Sequence, residues 1–329
     1  EIIDWLQQRV PDDQARQAAV LADFARALSD NQSRDELRQL LRQVVDVLGI
    51  GYRQQVIAAL EAKGTPDALV QAAILAWQEE HRLAQPLRLK QLLDRAIAID
   101  PDHVFARHVA ATFCTGPMED QCAQPDAAEQ LLRVQPDDGY AWLILAARRK
   151  GPEAYAALHE AVSRKDFGRQ FARLRNVHVD AMIASGVELP ALVAEPARIL
   201  SPNQPAAVTI GRLESWSQPI FLITQIVRMC NPDAGFPAMP DDAGVRADCI
   251  AIGMRMAQDS GSLEAAAFGA IIVSKLAPGS QQDLAIQAQG TRVEYLSEQL
   301  SGLTPAQQAE YPPERFQQDV IEVGEIEAL

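Results

Sequence analysis

Basic residues, aromatics and long apolar runs are all scarce in this chain, and each scarcity argues against a class of protein. Thirty Lys and Arg stand against 44 Asp and Glu, a net charge of −14. A phosphate backbone is bound by a basic surface, so nucleic acid is not expected as a partner. An anionic membrane face is disfavoured on the same ground. The charge suits a soluble monomer and favours a basic partner. Lysine is the rarer cation, 5 against 25 Arg, which we read as the codon usage of a GC-rich bacterium. The apolar run Ile220-Phe221-Leu222-Ile223 gives way at once to Thr224 and Gln225, whereas a membrane span needs about 20 apolar residues. Aromatics are 5% of the chain while Ala, Leu and Gln recur, a balance that favours helix over strand. The chain opens on Glu1 with no signal-type segment. A mature or trimmed form is therefore expected, any signal or lipid anchor lying outside it.

What is present is apolar residues in quantity, 48% of 329, more than one compact core usually serves. Helix signals recur along the whole length. Ser33-Arg34-Asp35-Glu36 reads as a capping box, followed by Leu37, Leu40, Leu41, Val44, Val45 and Leu48 at helical spacing and by Gly49 as a left-handed cap. Gly64 ends one helix and Thr65-Pro66 opens the next. Further stops fall at Gly151, Gly186 and Ser201-Pro202; further starts fall at Pro152, Asp166, Ser262 and Thr304-Pro305. About fifteen helices are expected by these rules. Sustained two-residue alternation is missing, so the expected fold is all-α, built of stacked antiparallel helical hairpins in an irregular solenoid. Prolines at 190, 196, 202 and 205 mark a soft boundary between an N-terminal region, 1–186, and a C-terminal one, 187–329. The tail after Thr304 is acidic.

One stretch repeats. Leu93-Asp94-Arg95-Ala96-Ile97-Ala98-Ile99-Asp100-Pro101-Asp102-His103-Val104-Phe105-Ala106 returns as Ala128-Glu129-Gln130-Leu131-Leu132-Arg133-Val134-Gln135-Pro136-Asp137-Asp138-Gly139-Tyr140-Ala141. The prolines are 35 residues apart, and Phe105 aligns with Tyr140 and Ala106 with Ala141. The stretch 87–167 resembles the tetratricopeptide repeat, in which a helix ends at a Pro-Asp type turn and the next carries an aromatic and then small residues. A third unit at Glu153–Phe167 lacks the proline turn. The resemblance implies a hairpin stack with an adaptor or scaffold role.

The four cysteines fall in two pairs, each straddling a helix–turn–helix corner. Cys114 and Cys122 flank Thr115-Gly116-Pro117; Cys230 and Cys249 flank a loop rich in Pro and Gly. Neighbouring helices bring Cα atoms within the 4.4–6.8 Å that a disulfide needs, so the bridges Cys114–Cys122 and Cys230–Cys249 are expected. Four buried thiols are the alternative. Two bridges place the chain in an oxidising compartment, the bacterial periplasm or outside the cell. Zinc is not indicated, since Cys-x-x-Cys is missing.

Motifs with a known mechanism are also missing: His-Glu-x-x-His, Gly-x-Ser-x-Gly, a Walker sequence and Gly-x-Gly-x-x-Gly do not occur. Gly49-Ile50-Gly51 reads as a helix–helix turn. His103 and His108 are five apart and do not share a helical face. Glu79-Glu80-His81 and His178-Val179-Asp180 splay around their helices, and His159 reads as surface. Catalytic, cofactor and metal residues are therefore not assigned, and an enzyme is not expected. Trp77, Trp142 and Trp216 read as core; Trp5 reads as half-exposed. Phe236 and Met239 lie in the loop between Cys230 and Cys249, where a bridge would present them to a partner. The expected function is protein–protein recognition by an exported bacterial helical-repeat protein: an adaptor, an envelope assembly factor, or an inhibitor or immunity protein for a secreted toxin. The alternatives are an α/α-type envelope hydrolase or lyase, and a small-molecule or lipid carrier with an apolar cavity between helices.

Overall fold

The computed structural model describes residue 23 and residues 51–81, 87–113, 126–164, 169–200, 205–214, 221–231, 240–258 and 263–287. Among these the fold is all-α, with fourteen helices and no β-strand. The helices are α1 (51–63), α2 (Pro66–His81), α3 (Leu87–Ile99), α4 (Val104–Phe113), α5 (Ala127–Val134), α6 (Gly139–Arg148) and α7 (Pro152–Ser163). They continue as α8 (Arg169–Ser185), α9 (Ala191–Leu200), α10 (Ala206–Glu214), α11 (Phe221–Met229), α12 (Ala243–Gln258), α13 (Leu263–Leu276) and α14 (281–287). The capping box at Ser33, the helix it opens, Asp166, Ser262 and the tail from Thr304 lie outside the described residues.

Local chemistry sets the ends. Gly64 stands at φ 65°, where a side chain would strain the backbone, and closes α1. The Thr65 hydroxyl accepts from Ala68 N at 3.3 Å, and Pro66 fills the first helical position, where its missing N–H costs nothing. Gly151 and Pro152 open α7 in the same place that the sequence marks. The prolines near residue 190 act as helix starts. Pro190 O accepts from Val193 N and Ala194 N, both at 2.9 Å, and Pro205 O accepts from Val208 N at 2.9 Å. Pro196 lies inside α9.

Two compact units emerge, each built from two stretches of chain. Residues 1–99 and 175–217 form the first; residues 100–174 and 218–329 form the second. The stretch 187–205 runs inside the first unit.

In the first unit α2 packs along α3. Helix α3 buries Leu89, Leu92, Leu93 and Ala96, a stripe at three- and four-residue spacing. Helix α2 is buried nearly all round from Leu69 to Trp77, a run interrupted by Gln71 alone, as its apolar composition requires. Each fully buried Leu or Ile contributes about 1.5–3 kcal/mol. Helix α10 crosses α8 at Gly211, where a Cβ would stand 2.7 Å from Val179 N and Cα. Only glycine lets the two helices meet there.

In the second unit α4 packs on α5, α5 on α6, α6 on α7 and α7 on α12. Helix α12 packs on α13, α13 on α11, and α11 returns to α6. Five helices, α6, α7, α12, α13 and α11, thus close a circuit of contacts. Two arginines of α12 cap its neighbours: Arg246 donates to Leu276 O at the end of α13 (2.7 and 3.2 Å), and Arg255 donates to Val162 O (3.2 Å) and Arg164 O at the end of α7. Helices α12 and α13 cross backbone to backbone at Gly253 and Gly269. At α14, Ser280 Oγ accepts from Asp283 N (3.1 Å), and the Asp283 carboxylate accepts from Ser274 Oγ and from Gly279 N (2.9 Å). Those donors hold the Asp283 carboxyl below its usual range, Ser274 contributing most.

Candidate functional site

The 35-residue repeat folds as the same corner twice, and its side chains repeat with it. Pro101 precedes α4 and Pro136 precedes α6. At each corner a side chain two residues beyond the proline caps the helix it opens. His103 Nδ1 accepts from Ala106 N at 3.2 Å, and Asp138 Oδ1 accepts from Tyr140 N at 2.9 Å. At each corner a side chain six residues beyond the proline folds back to its carbonyl. Arg107 Nε donates to Pro101 O at 2.9 Å, and Trp142 Nε1 donates to Pro136 O at 3.1 Å. Phe105 and Tyr140 are both buried, as are Ala106 and Ala141. An arginine covers one aromatic ring at each corner, though at different positions of the repeat: Arg173 lies 4.3 Å from the Phe105 ring centre and Arg164 5.0 Å from that of Trp142. Arg107 and Trp142, different residue types, thus fill equivalent places and make equivalent return bonds.

Cys230 and Cys249 form a disulfide, with Cα atoms 5.5 Å apart. Both are buried, and the bridge ties the end of α11 to α12. Helix α7 braces the residues just before both cysteines. Tyr155 OH donates to Met229 O at 3.4 Å, and His159 Nδ1 meets both Asp248 oxygens at 3.0 and 3.1 Å. His159 and Tyr155 are one turn apart, so a single face of α7 reaches both strands of the bridged corner. The surface reading of His159 holds, at 73% side-chain exposure, but its carboxylate partner lies 89 residues away and has no local mark. Asp248 fixes the imidazole by Nδ1 and leaves Nε2 as the outward nitrogen. The hydroxyl a turn away, Ser163 Oγ, is turned to Glu160 O at 2.8 Å. The pair is an oriented hydrogen-bonding group and brings no nucleophile with it.

Several expected site residues, Cys114, Cys122, Phe236 and Met239, lie outside the described residues, as do Trp5 and Trp216. Glu79, Glu80 and His81 end α2, and their side chains are not among those described. Trp77 is buried as expected; Trp142 is half-buried. Among the described residues no cluster of three or more His, Cys, Asp or Glu is arranged to hold a metal ion. No described helix is long and apolar enough to cross a membrane.

Two histidines that the sequence reading set aside on ligand spacing are fully buried. His108, in α4, is fully buried and stacks on Tyr140 with ring centres 5.3 Å apart. Neither of its ring nitrogens meets a hydrogen-bond partner in the protein. Burial, with a smaller push from Arg173, holds its pKa down to about 3. His178, in α8, is equally buried and equally unbonded. Burial and then Arg53 hold it down to about 4. Tyr140 is pushed upward by burial and by Asp138. Both histidines are therefore neutral at physiological pH. The signal for them was the company they keep: Val109 and Ala110 beside one, Val177 and Val179 beside the other.

No protein family, no curated protein and no solved structure matches the chain.

Proposed function

We propose that this chain is the helical recognition module of an exported bacterial protein, acting by binding a protein partner. The observation that carries this reading is the doubled corner, in which Arg107 and Trp142 make the same return bond to Pro101 and Pro136. That periodic hairpin geometry supports the tetratricopeptide-like arrangement expected from the sequence, and such arrays present extended surfaces to peptides or folded partners. The buried Cys230–Cys249 bridge supports an oxidising compartment. The net charge of −14 favours a basic partner whose association weakens with salt. Adaptor, envelope assembly factor and toxin inhibitor are the versions compatible with this chemistry. The test is a pull-down from bacterial envelope extract at low and high salt, with native mass spectrometry of the purified chain beside it. A stoichiometric basic partner released by salt is the expected result. A tightly retained small molecule and no protein partner would overturn the reading in favour of a carrier or an enzyme.

A further inference from the structure

We propose that acid opens both units, with His108 in one and His178 in the other as the buried triggers. Each imidazole is sealed, fully buried with neither ring nitrogen bonded to the protein. An imidazolium formed in place would have two N–H donors and no protein acceptor for either. It would also have an arginine as its acting charge.

The surroundings of His108 make this concrete. From α6 it faces the ring of Tyr140, and the neighbouring Asp138 carboxylate is already engaged by Tyr140 N. From α8 it faces Arg173, whose guanidinium sits over Phe105. From α5 the charged groups turn elsewhere: Glu129 pairs with Arg149 at 2.6 Å, and Arg133 acts on Arg107. For His178 the acting charge is Arg53 of α1. On its own helix Asn176 and Asp180 stand two residues to either side of it, and α10 packs through Gly211 against the next residue, Val179. Among the described residues, no carboxylate acts on either histidine to welcome a proton. Protonation therefore accompanies loss of the packing around α4 and around α8.

The direction follows from linkage. Both histidines take up protons more readily in the open chain, where the ordinary value is 6.5, than in the packed one. Both states are neutral at pH 7.5, so nothing is lost there. Below about 6.5 the open state binds the proton and the packed state does not, so stability falls with pH. At pH 5 each histidine shifts its opening equilibrium about thirtyfold toward the open form. The loss levels off only near the packed-state values, and it reverses when pH is restored.

The experiment is urea unfolding of the whole chain, followed by far-UV circular dichroism, between pH 7.5 and 5.0. It compares the parent with His108→Phe, which keeps the stack on Tyr140, and with His178→Leu. The parent is expected to lose about thirtyfold in equilibrium constant per histidine, and each substitution to remove its own thirtyfold. A measurement on the parent alone covers the case in which a variant fails to fold: nuclear magnetic resonance of the imidazole Cε1–H groups. Two of the five histidine signals are expected to stay at neutral positions down to pH 5.5 while the protein is folded. Five signals titrating normally in the folded protein would overturn the proposal. So would a parent equally stable at pH 7.5 and 5.0, or folded variants with the parent's full pH dependence.

Discussion

A methyl group placed on Gly269 must force α12 and α13 apart. Its Cβ would stand 2.8 Å from Ala257 N and 3.0 Å from Met256 Cβ, and closer still to Gly253 O. Two of those three neighbours are backbone atoms in a helix and cannot rotate away. Overpacking costs about 1–3 kcal/mol, and a rigid backbone obstacle belongs at the upper end. Against it stands the gain of about 1 kcal/mol that alanine brings over glycine inside a helix. The net expectation for Gly269→Ala is a loss of about 2 kcal/mol, or about 4–8 °C in Tm for a unit of this size. Gly253→Ala meets the same contact from the other side, at 2.9 Å from Gly269 O and from Val273 Cγ2. Once the helices have parted for one methyl group, the second costs little, so the double variant should lose clearly less than the sum. Gly51→Ala is the control, since its Cβ would meet nothing within 4 Å and the residue is already helical. That change should be neutral or stabilising by up to about 1 kcal/mol. Urea and thermal unfolding of the four variants decide the matter. If Gly269→Ala gains stability as Gly51→Ala does, or if the two crossing variants simply add, the backbone-to-backbone crossing is refuted.

Three further outcomes can be checked. Replacing Cys230 and Cys249 by alanine should cost about 3 kcal/mol in urea unfolding, and non-reducing peptide mapping should find the two linked. Alkylation of both without reductant would sink the bridge, and with it the export argument. Asp283→Ala should lower Tm at pH 7, because the depressed carboxyl contributes fully above its unfolded value. Since that contribution is lost as pH falls through the folded value, the gap between parent and variant should narrow toward pH 3; a gap independent of pH contradicts the assignment. Trp142→Phe removes the donor to Pro136 O and should cost about 0.5–1.5 kcal/mol. Arg107→Met, at the equivalent corner, should fall in the same range. Calorimetry showing both variants at parental Tm would mean that these bonds do not brace the corners.

The features legible in the sequence are those whose cause is local. Thr65-Pro66, Gly151-Pro152 and Gly186 announce helix ends because a missing N–H or a positive φ constrains the residue wherever it sits. Cys230 and Cys249 paired correctly because a short corner leaves them few other places to be. The prolines at 190 and 205 carry a double meaning: the property that suits a linker also suits the first turn of a helix, and both lead into helices. Gly253 and Gly269 carry no local mark at all, since a glycine inside a helix reads only as a weakness until the facing helix is known. The return of α11 to α6 is likewise a property of the whole unit. His108 and His178 were read in the sequence only for partners at ligand spacing, whereas their distinction is burial without a hydrogen bond.

The burial pattern also limits how a recognition module built this way can work. A surface that greets a partner has to be exposed, and α4 is not: eight of its ten residues are buried. Helix α6, its counterpart in the second copy, buries Tyr140, Ala141, Leu143, Ile144 and Ala146 beneath α5, α7 and α11. Neither helix that opens a repeat therefore offers a free face, and closure of α11 onto α6 is one reason. Helix α7 differs, exposing Glu153, Ala156, His159 and Ser163 at three- and four-residue spacing along one side. That side is stiffened from beneath, because Tyr155 and His159 anchor it to the two ends of the disulfide-bridged corner. If the proposed recognition function holds, the face open to a partner in this repeat region is the outer side of α7 and not a groove lined by α4 and α6, and reducing the bridge beneath it should weaken binding.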